Sequence, residues 1–268
     1  MVAKRVVVKI GTSSLMDPTT HQVKLRTIDR LAYSLVVLSQ SGVQPVLVTS
    51  GAIGVGMAQL GLSQRPQAIA EQQALAAIGQ SALMRLYSQR FNDYGGHCGQ
   101  LLLTHDLFDY PSTRQHMLDT VDALCAKQVV PIINENDSVA VDELDHRTTF
   151  GDNDQLSALV ATAVDAEMLI VLSDIDGLYS ADPRTHPQAA LVPHVSRIDD
   201  ELLAVAGGSG SSVGTGGMVT KLRAAAMMLA ANKTMVLTNG QDPRTLLQIV
   251  EGQAIGTWFT HQPRRKNA

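Results

Sequence analysis

Six short apolar runs recur along the chain, and they restrict its possible folds more than any other feature. Each is rich in β-branched or aliphatic residues and continuously hydrophobic, which is typical of strands covered on both faces of a parallel sheet. The predicted strands are residues 5–10, 46–49, 100–104, 129–133, 168–172 and 235–238.

Longer segments with helical patterns separate these runs. The predicted helices are residues 27–40, 66–91, 112–127, 153–164, 217–231 and 242–250. We expect Pro66 in the first turn of its helix, and Asp242 as the N-cap residue before Pro243. Residues 139–150 alternate in polarity and predict a β-hairpin that projects from the sheet. Strands that alternate with helices predict an α/β fold with right-handed crossovers.

The composition excludes several classes of protein. Hydrophobic residues make up 45% of the 268 residues, so the chain can bury a core and is not disordered. A net charge of −4 and only 4% aromatic residues argue against nucleic-acid binding. Cys98 and Cys125 cannot form a disulfide framework and are expected to be reduced thiols. Because no apolar run is long enough for a membrane span or a signal peptide, we expect a cytoplasmic protein without membrane contact.

Polar residues and glycines follow four of the predicted strands. They occupy residues 9–14, 49–54, 134–137 and 173–177. Turn chemistry alone accounts for any one of these segments, since Ser, Gly, Asn and Asp dominate turns. Because ligands of open parallel sheets bind beyond the carboxyl ends of the strands, the recurrence at four ends favours a site there.

A glycine-rich segment, residues 207–217, precedes the predicted helix that contains Lys221. Such a segment can present backbone N–H groups and a positive helix end to a phosphate, although a flexible surface loop is the alternative. It matches neither a Walker A loop nor the dinucleotide-binding fingerprint. Lys9 interrupts a β-branched run, which is costly unless its amine faces a cleft or an anion; an edge lysine with a solvated amine is the alternative. Asp154 falls in the first turn of a predicted helix, where it can hold lysines.

Two lysines from distant parts of the chain, glycine-lined turns and several acids suit phosphoryl transfer, which needs mainly positioning and charge neutralisation. Magnesium would be held mainly by nucleotide phosphates, with no dedicated protein site. Zinc and serine-hydrolase motifs are absent from the sequence. None of the eight histidines lies in a motif at the strand ends, which favours an acceptor that needs no general base, such as a carboxylate.

Six segments together resemble the amino acid kinase family. They are VVVKIGTSSL at 6–15, VTSGAIGVGM at 48–57, PIINENDSVAV at 131–141, FGDNDQLSALVA at 150–161, LSDIDGLYSADPR at 172–184 and GTGGMVTKLRAA at 214–225. The resemblance implies a three-layer αβα sandwich with a mainly parallel central sheet. The asparagine-rich NEND and GDND segments resemble the branch that phosphorylates the γ-carboxylate of L-glutamate with ATP, the first step of proline biosynthesis.

The resemblance also implies roles for individual residues. Lys9 and Lys221 would neutralise the transferring phosphoryl group, Asp154 would hold both lysines, and Gly11 and Gly51 would offer backbone N–H groups. The implied glutamate-binding residues are Ser50, Asp137 and Asn153, with Asn134 and Asn136 as further contributors. The implied ATP-binding residues are Lys9, Ser173, Asp174, Thr215, Gly216, Gly217, Met218, Val219, Thr220 and Lys221.

Relatives in this branch often carry a C-terminal domain of the PUA type. We expect residues 1–262 to form one amino acid kinase domain, residues 263–268 to form a short tail, and the PUA domain to be missing. The resemblance further implies feedback inhibition by L-proline and a homo-oligomer, either a dimer or a tetramer.

Three alternatives stay open from the sequence. The chain could be another carboxylate kinase of the same fold, acting on N-acetylglutamate or aspartate. A catalytically silent nucleotide-binding or amino-acid-binding regulator is disfavoured by the presence of both lysines and Asp154. A nicotinamide-dependent oxidoreductase lacks its glycine fingerprint after the first strand.

Overall fold

The structure, a computed structural model, describes residues 4–139, 153–183, 185–199, 202–203 and 217–261. Strands and helices are numbered along the chain. The strands of the described part are β1 (Arg5–Ile10), β2 (Gln44–Val48), β3 (His97–Leu103), β4 (Val129–Glu135), β5 (Met168–Ser173), β6 (His194–Val195), β7 (Thr234–Asn239) and β8 (Thr257–Phe259).

These strands form one sheet in the order β3-β4-β2-β1-β5-β7-β8-β6. Every neighbouring pair from β3 to β7 is parallel; β8 runs antiparallel to β7, and β6 is parallel to β8. The predicted mainly parallel sheet is therefore confirmed. Its central strands are buried on both faces, which explains why their sequences are continuously apolar.

Helices cover both faces of the sheet. They are α1 (Thr12–Leu15), α2 (Leu25–Gln40), α3 (Ala52–Leu60), α4 (Ile69–Asp93), α5 (Pro111–Ala126), α6 (Asn153–Ala163), α7 (Met218–Ala230) and α8 (Thr245–Val250), with a 3₁₀ helix at His105–Asp109. One apolar core lies between the sheet and helices α2, α4 and α8. A second core lies between the sheet and helices α5, α6 and α7, which completes the expected αβα layers.

Alternate residues of β1 serve the two cores. Val6, Val8 and Ile10 belong to the first core and Val7 to the second. Because side chains alternate along a strand, Lys9 shares the face of Val7 and points toward the layer of α6 and α7. The strand thus delivers one charged side chain to the interior at its carboxyl end.

Two predicted helix starts are wrong. Pro66 is not in the first turn of α4, which begins at Ile69; the amide of Gln72 instead folds back and donates to the Pro66 carbonyl at 2.8 Å. Helix α8 begins at Thr245, with Arg244 in the N-cap position; the Asp242 carboxylate accepts the Arg244 backbone N–H at 3.2 Å and so caps the turn that leads into the helix.

Five described elements were missed: the four-residue helix α1, the five-residue 3₁₀ helix, helix α3 and strands β6 and β8. Strands β6 and β8 have two and three residues, too few for periodicity to be visible. Helix α3 contains Gly54 and Gly56, which lower helix propensity, and it is held by packing on α4. Of the predicted hairpin at 139–150, only Val139 belongs to the described residues.

Candidate active site

The carboxyl ends of the parallel strands bring the predicted site residues to one edge of the sheet. Lys9 of β1 pairs in register with Val48 of β2 and Val171 of β5. The residues that follow these strands therefore emerge side by side. Helices α3 and α6 begin at the same edge, with Gly51 preceding the first and Asn153 opening the second.

Lys9, Asp154 and Lys221 form a buried ion triad. The distance from Lys9 Nζ to Asp154 Oδ1 is 2.5 Å, and that from Lys221 Nζ to Asp154 Oδ2 is 3.1 Å. The Asp154 side chain is 0% exposed, and the two lysine side chains are 7% and 8% exposed. Residues 9, 154 and 221 thus meet although the sequence separates them widely, and the solvated-amine alternative for Lys9 is wrong.

The triad carries a net positive charge. Burial raises the pKa of Asp154, but the two ammonium groups outweigh it and lower the pKa to about 2. Asp154 is therefore ionised at neutral pH and offsets one of the two lysine charges. The net positive charge of these three groups favours an anion beside them.

Thr220 also contacts the triad. Its hydroxyl lies 3.1 Å from Asp154 Oδ2 and 2.8 Å from the backbone carbonyl of Gly217. These contacts tie the first turn of α7 to α6 and place the amine of Lys221, one residue further on. The prediction of Thr220 as an ATP-binding residue did not include this link to Asp154.

Of the two predicted catalytic glycines, Gly11 lies beside the Lys9 amine and Gly51 lies at the start of α3. A Cβ atom on Gly11 would lie 3.2 Å from Lys9 Nζ, so the amine passes close to the Gly11 backbone. Gly51 has φ +96°, a left-handed conformation that glycine adopts at little cost. Gly11 thus has its backbone beside a cation, whereas the nearest neighbours of Gly51 are Leu15 and Thr12.

Ser50 and Asn153 meet at this edge. Asn153 Nδ2 donates to Ser50 Oγ at 2.8 Å, which connects the end of β2 to the start of α6. Asn153 Oδ1 is buried and has no hydrogen-bond partner among the described residues. Since buried polar groups are rarely left unpaired in a structural core, this oxygen indicates a place for a ligand donor.

The other predicted glutamate-binding residues lie in and after β4. Asn134 is 1% exposed, and its Nδ2 atom donates to Gln80 Oε1 of α4 at 2.9 Å. Asn136 Oδ1 accepts a hydrogen bond from Ser138, and Asp137 is half-buried. Gln80 was not predicted from the sequence; the glycine before it, in mid-helix, was the available signal of close packing.

Apart from Lys9, the predicted nucleotide-binding residues in the described part of the chain lie at the end of β5 and at the start of α7. Ser173 Oγ donates to the exposed carboxylate of Asp174 at 3.0 Å. Gly217 precedes the first turn of α7, which contains Met218, Val219, Thr220 and Lys221. Thr215 and Gly216 lie outside the described residues, as does most of the glycine-rich segment.

No group of three or more His, Cys, Asp or Glu side chains in the described ranges could hold a metal ion. The donor set of two ammonium groups and glycine N–H groups instead fits a polyphosphate, whose oxygens can carry a magnesium ion. None of the helices within the described ranges is both long and apolar enough to span a bilayer.

Comparisons with known proteins show which family the sequence matches. The model of the amino acid kinase family matches residues 4–239. A glutamate 5-kinase of Lactiplantibacillus plantarum is 54% identical over 96% of this chain and 97% of its own length, and one of Ligilactobacillus salivarius is 51% identical over 96% of each.

Solved structures share the fold at low sequence identity. A UMP kinase of Bacillus anthracis superimposes with a TM-score of 0.63 at 13% identity, covering 98% of both chains. An isopentenyl phosphate kinase superimposes with a TM-score of 0.67 at 16% identity, covering 96% of this chain and all of that one. At such identities the likeness concerns the fold alone.

Proposed function

The chain belongs to the amino acid kinase family, and on that premise we propose that it transfers the γ-phosphoryl group of ATP to the γ-carboxylate of L-glutamate. The products are ADP and L-glutamyl 5-phosphate. A carboxylate oxygen forms a bond to the γ-phosphorus, and the bond from that phosphorus to the β,γ-bridging oxygen breaks. This reaction begins proline biosynthesis, and it is a carboxyl-group phosphotransferase activity.

The ion triad is the observation that carries the proposal. Lys9 of β1 and Lys221 of α7 bring two ammonium groups to one buried carboxylate, in a setting with little water. Charge that develops on the transferring phosphoryl oxygens is stabilised more strongly there than in water. Asp154 holds both amines in place, and Gly11 and Gly51 supply backbone N–H donors.

The acceptor explains why no histidine is needed. A carboxyl group with a pKa near 4 is already ionised at neutral pH, so no side chain has to remove a proton before attack. The enzyme's task is then to hold the carboxylate in line with the phosphoryl group.

The residues around Ser50 suit a zwitterionic acceptor. Ser50 offers a hydroxyl donor for a carboxylate, while Asn153 Oδ1 offers an acceptor and Asp137 a counter-charge for an α-ammonium group. Asn134 and Asn136 add amide groups beside them. We assign glutamate binding to these five residues.

We assign ATP binding to Ser173, Asp174 and residues 215–221, together with Lys9. Magnesium, when bound with the nucleotide, would neutralise phosphate charge and would be held mainly by phosphate oxygens. Two lysines that already face the phosphoryl group leave little need for carboxylate ligands from the protein.

An acceptor screen tests the proposal and separates it from the other carboxylate kinases. The purified protein is incubated with ATP, magnesium and hydroxylamine, which traps acyl phosphates as hydroxamates. L-Glutamate, N-acetylglutamate and L-aspartate are compared in parallel. Hydroxamate and equimolar ADP should form with glutamate; turnover with another acceptor only, or no turnover with any, would refute the proposal.

Further proposals concern regulation and assembly. We propose that residues 1–262 act as one kinase domain in the cytoplasm, assembled as a dimer or tetramer, and that L-proline inhibits it. Light scattering after size exclusion measures the assembly. Titration with proline at fixed glutamate measures the inhibition, and an unchanged rate at high proline would reject it.

A further inference from the structure

Gln80 of α4 and Asn134 of β4 form a buried pair of carboxamides. They are 9% and 1% exposed, and Asn134 Nδ2 donates to Gln80 Oε1 at 2.9 Å. The pair links a long helix of the outer layer to the carboxyl end of a strand that forms the candidate site. Gln80 is not among the residues assigned to glutamate or to ATP.

The pair is incompletely bonded. Asn134 Oδ1 and Gln80 Nε2 are buried and have no hydrogen-bond partner within the described part of the chain. Gln72, on the same helix and equally buried, shows the contrast: its oxygen accepts from Arg65 and its nitrogen donates to the Pro66 carbonyl. If the pair served only packing, its polar atoms would have hydrogen-bond partners as those of Gln72 do, because a buried polar atom without a partner destabilises the fold.

The position of the pair relates it to the acceptor end of the site. Val48 of β2 pairs in register with Ile133 of β4, and the Thr49 backbone N–H donates to the Ile133 carbonyl at 2.9 Å, so Asn134 lies beside Thr49, the residue that precedes Ser50. Gly79, which precedes Gln80, packs on the first turn of α3; a Cβ atom there would lie 1.8 Å from the Ala52 carbonyl oxygen. This contact fixes the place of Gln80 relative to the start of α3.

We propose that Gln80 is a positioning residue, which turns the Asn134 carboxamide so that Oδ1 accepts a hydrogen bond from the α-ammonium group of the acceptor. An asparagine side chain can present either its oxygen or its nitrogen to a ligand. The acceptor atom Gln80 Oε1 selects the orientation with Nδ2 toward α4, which leaves Oδ1 for the substrate. This inference rests on the proposed function and deepens it, because it adds a determinant for acceptors with a free α-ammonium group.

A double-mutant cycle tests the proposal. Gln80→Met keeps the size of the side chain and removes the acceptor atom, so the KM for glutamate should rise about tenfold while the KM for ATP stays unchanged. In the background of Asn134→Ala, the same change should add nothing, because Gln80 acts through Asn134. Gln72→Met is the matched control; it should leave the KM for glutamate unchanged in both backgrounds.

A second ligand isolates the ammonium group. Glutarate lacks it, so its inhibition constant should be equal for the wild type and Gln80→Met. If Gln80→Met fails to fold, Gln80→Asn keeps the carboxamide but withdraws it by one methylene and should raise the KM for glutamate in the same cycle.

The outcomes separate this proposal from the proposed function. A wild-type protein without glutamate-dependent turnover would refute the proposed function and the role of Gln80 together. An active wild type with additive effects in the cycle, or an unchanged KM in Gln80→Met, would overturn only the role of Gln80.

Discussion

Replacing Asp154 with Asn should destabilise the protein more than replacing any exposed charged residue, because it removes the carboxylate that lies between two buried ammonium groups. The change keeps the size of the side chain. The distances of 2.5 Å and 3.1 Å to Lys9 and Lys221 mean that both lysines lose the Asp154 carboxylate at once. Breaking a buried ion pair from one side costs about 3–5 kcal/mol.

The lowered pKa of Asp154 gives a second value for its contribution to the free energy of unfolding. A fall from the ordinary value of 3.8 to about 2 corresponds to about 2 kcal/mol of stability at neutral pH. Because the folded pKa lies below the unfolded one, this contribution is complete above about pH 4 and is lost as the pH falls toward 2. The Asp154→Asn variant has no such titration and should lose less stability over that interval than the wild type.

Urea unfolding at pH 7 is the assay, with turnover measured on the folded fraction. Asp165→Asn is the matched control, since Asp165 also pairs with a lysine, Lys233 at 2.6 Å, but its side chain is 93% exposed. An exposed pair contributes at most about 1 kcal/mol. Equal stabilities of the two variants, or near-normal turnover of Asp154→Asn, would refute the assignment of Asp154 as the group that holds both lysines.

Three further predictions concern the two lysines, Ser50 and the contact between α3 and α4. Lys9→Met and Lys221→Met should each lower the turnover number about 100-fold or more, with little change in far-UV circular dichroism. The control variant Lys233→Met should keep the wild-type turnover number. A near-normal turnover number in Lys9→Met or Lys221→Met would refute the charge-neutralisation account. Ser50→Ala should raise the KM for glutamate several-fold and leave that for ATP unchanged, as measured by initial rates; equal effects on both would contradict its place at the acceptor. Gly79→Ala should lower the free energy of unfolding in urea by about 1–3 kcal/mol, because its Cβ would meet the Ala52 carbonyl. Gly54→Ala should not, because its Cβ would meet only side-chain atoms, of Met16 at 3.2 Å and of Thr12 at 3.5 Å. Similar midpoints would contradict the close contact of α3 and α4.

The central sheet was predictable because each inner strand is buried on both faces and so reads as an unbroken apolar run. The short strands β8 and β6, at one end of the sheet, were harder to predict. Strand β8, with only Thr257, Trp258 and Phe259, is too short for any period, and its antiparallel pairing with β7 has no local signal. Helix α3 contradicts its own propensities, and only its contact with α4 explains it.

The ion triad shows what sequence and structure each contribute. Lys9 in an apolar strand and Asp154 in a first helical turn were unusual enough to be selected from the sequence. That their atoms meet at 2.5 Å depends on the sheet order, which no local pattern encodes. Gln80 was missed because a glutamine within a long helix rich in alanine and glutamine resembles any exposed residue, and only its contact with Asn134 distinguishes it.

The fate of the glutamate oxygens tests the central claim most directly. L-Glutamate labelled with ¹⁸O in its γ-carboxylate is incubated with ATP, magnesium, hydroxylamine and the protein, and the released phosphate is analysed by mass spectrometry. If the carboxylate attacks the γ-phosphorus, hydroxylamine cleaves the acyl phosphate at carbon and each phosphate carries one labelled oxygen. Unlabelled phosphate, released with ADP at the same rate, would show hydrolysis by water and contradict the proposed transfer.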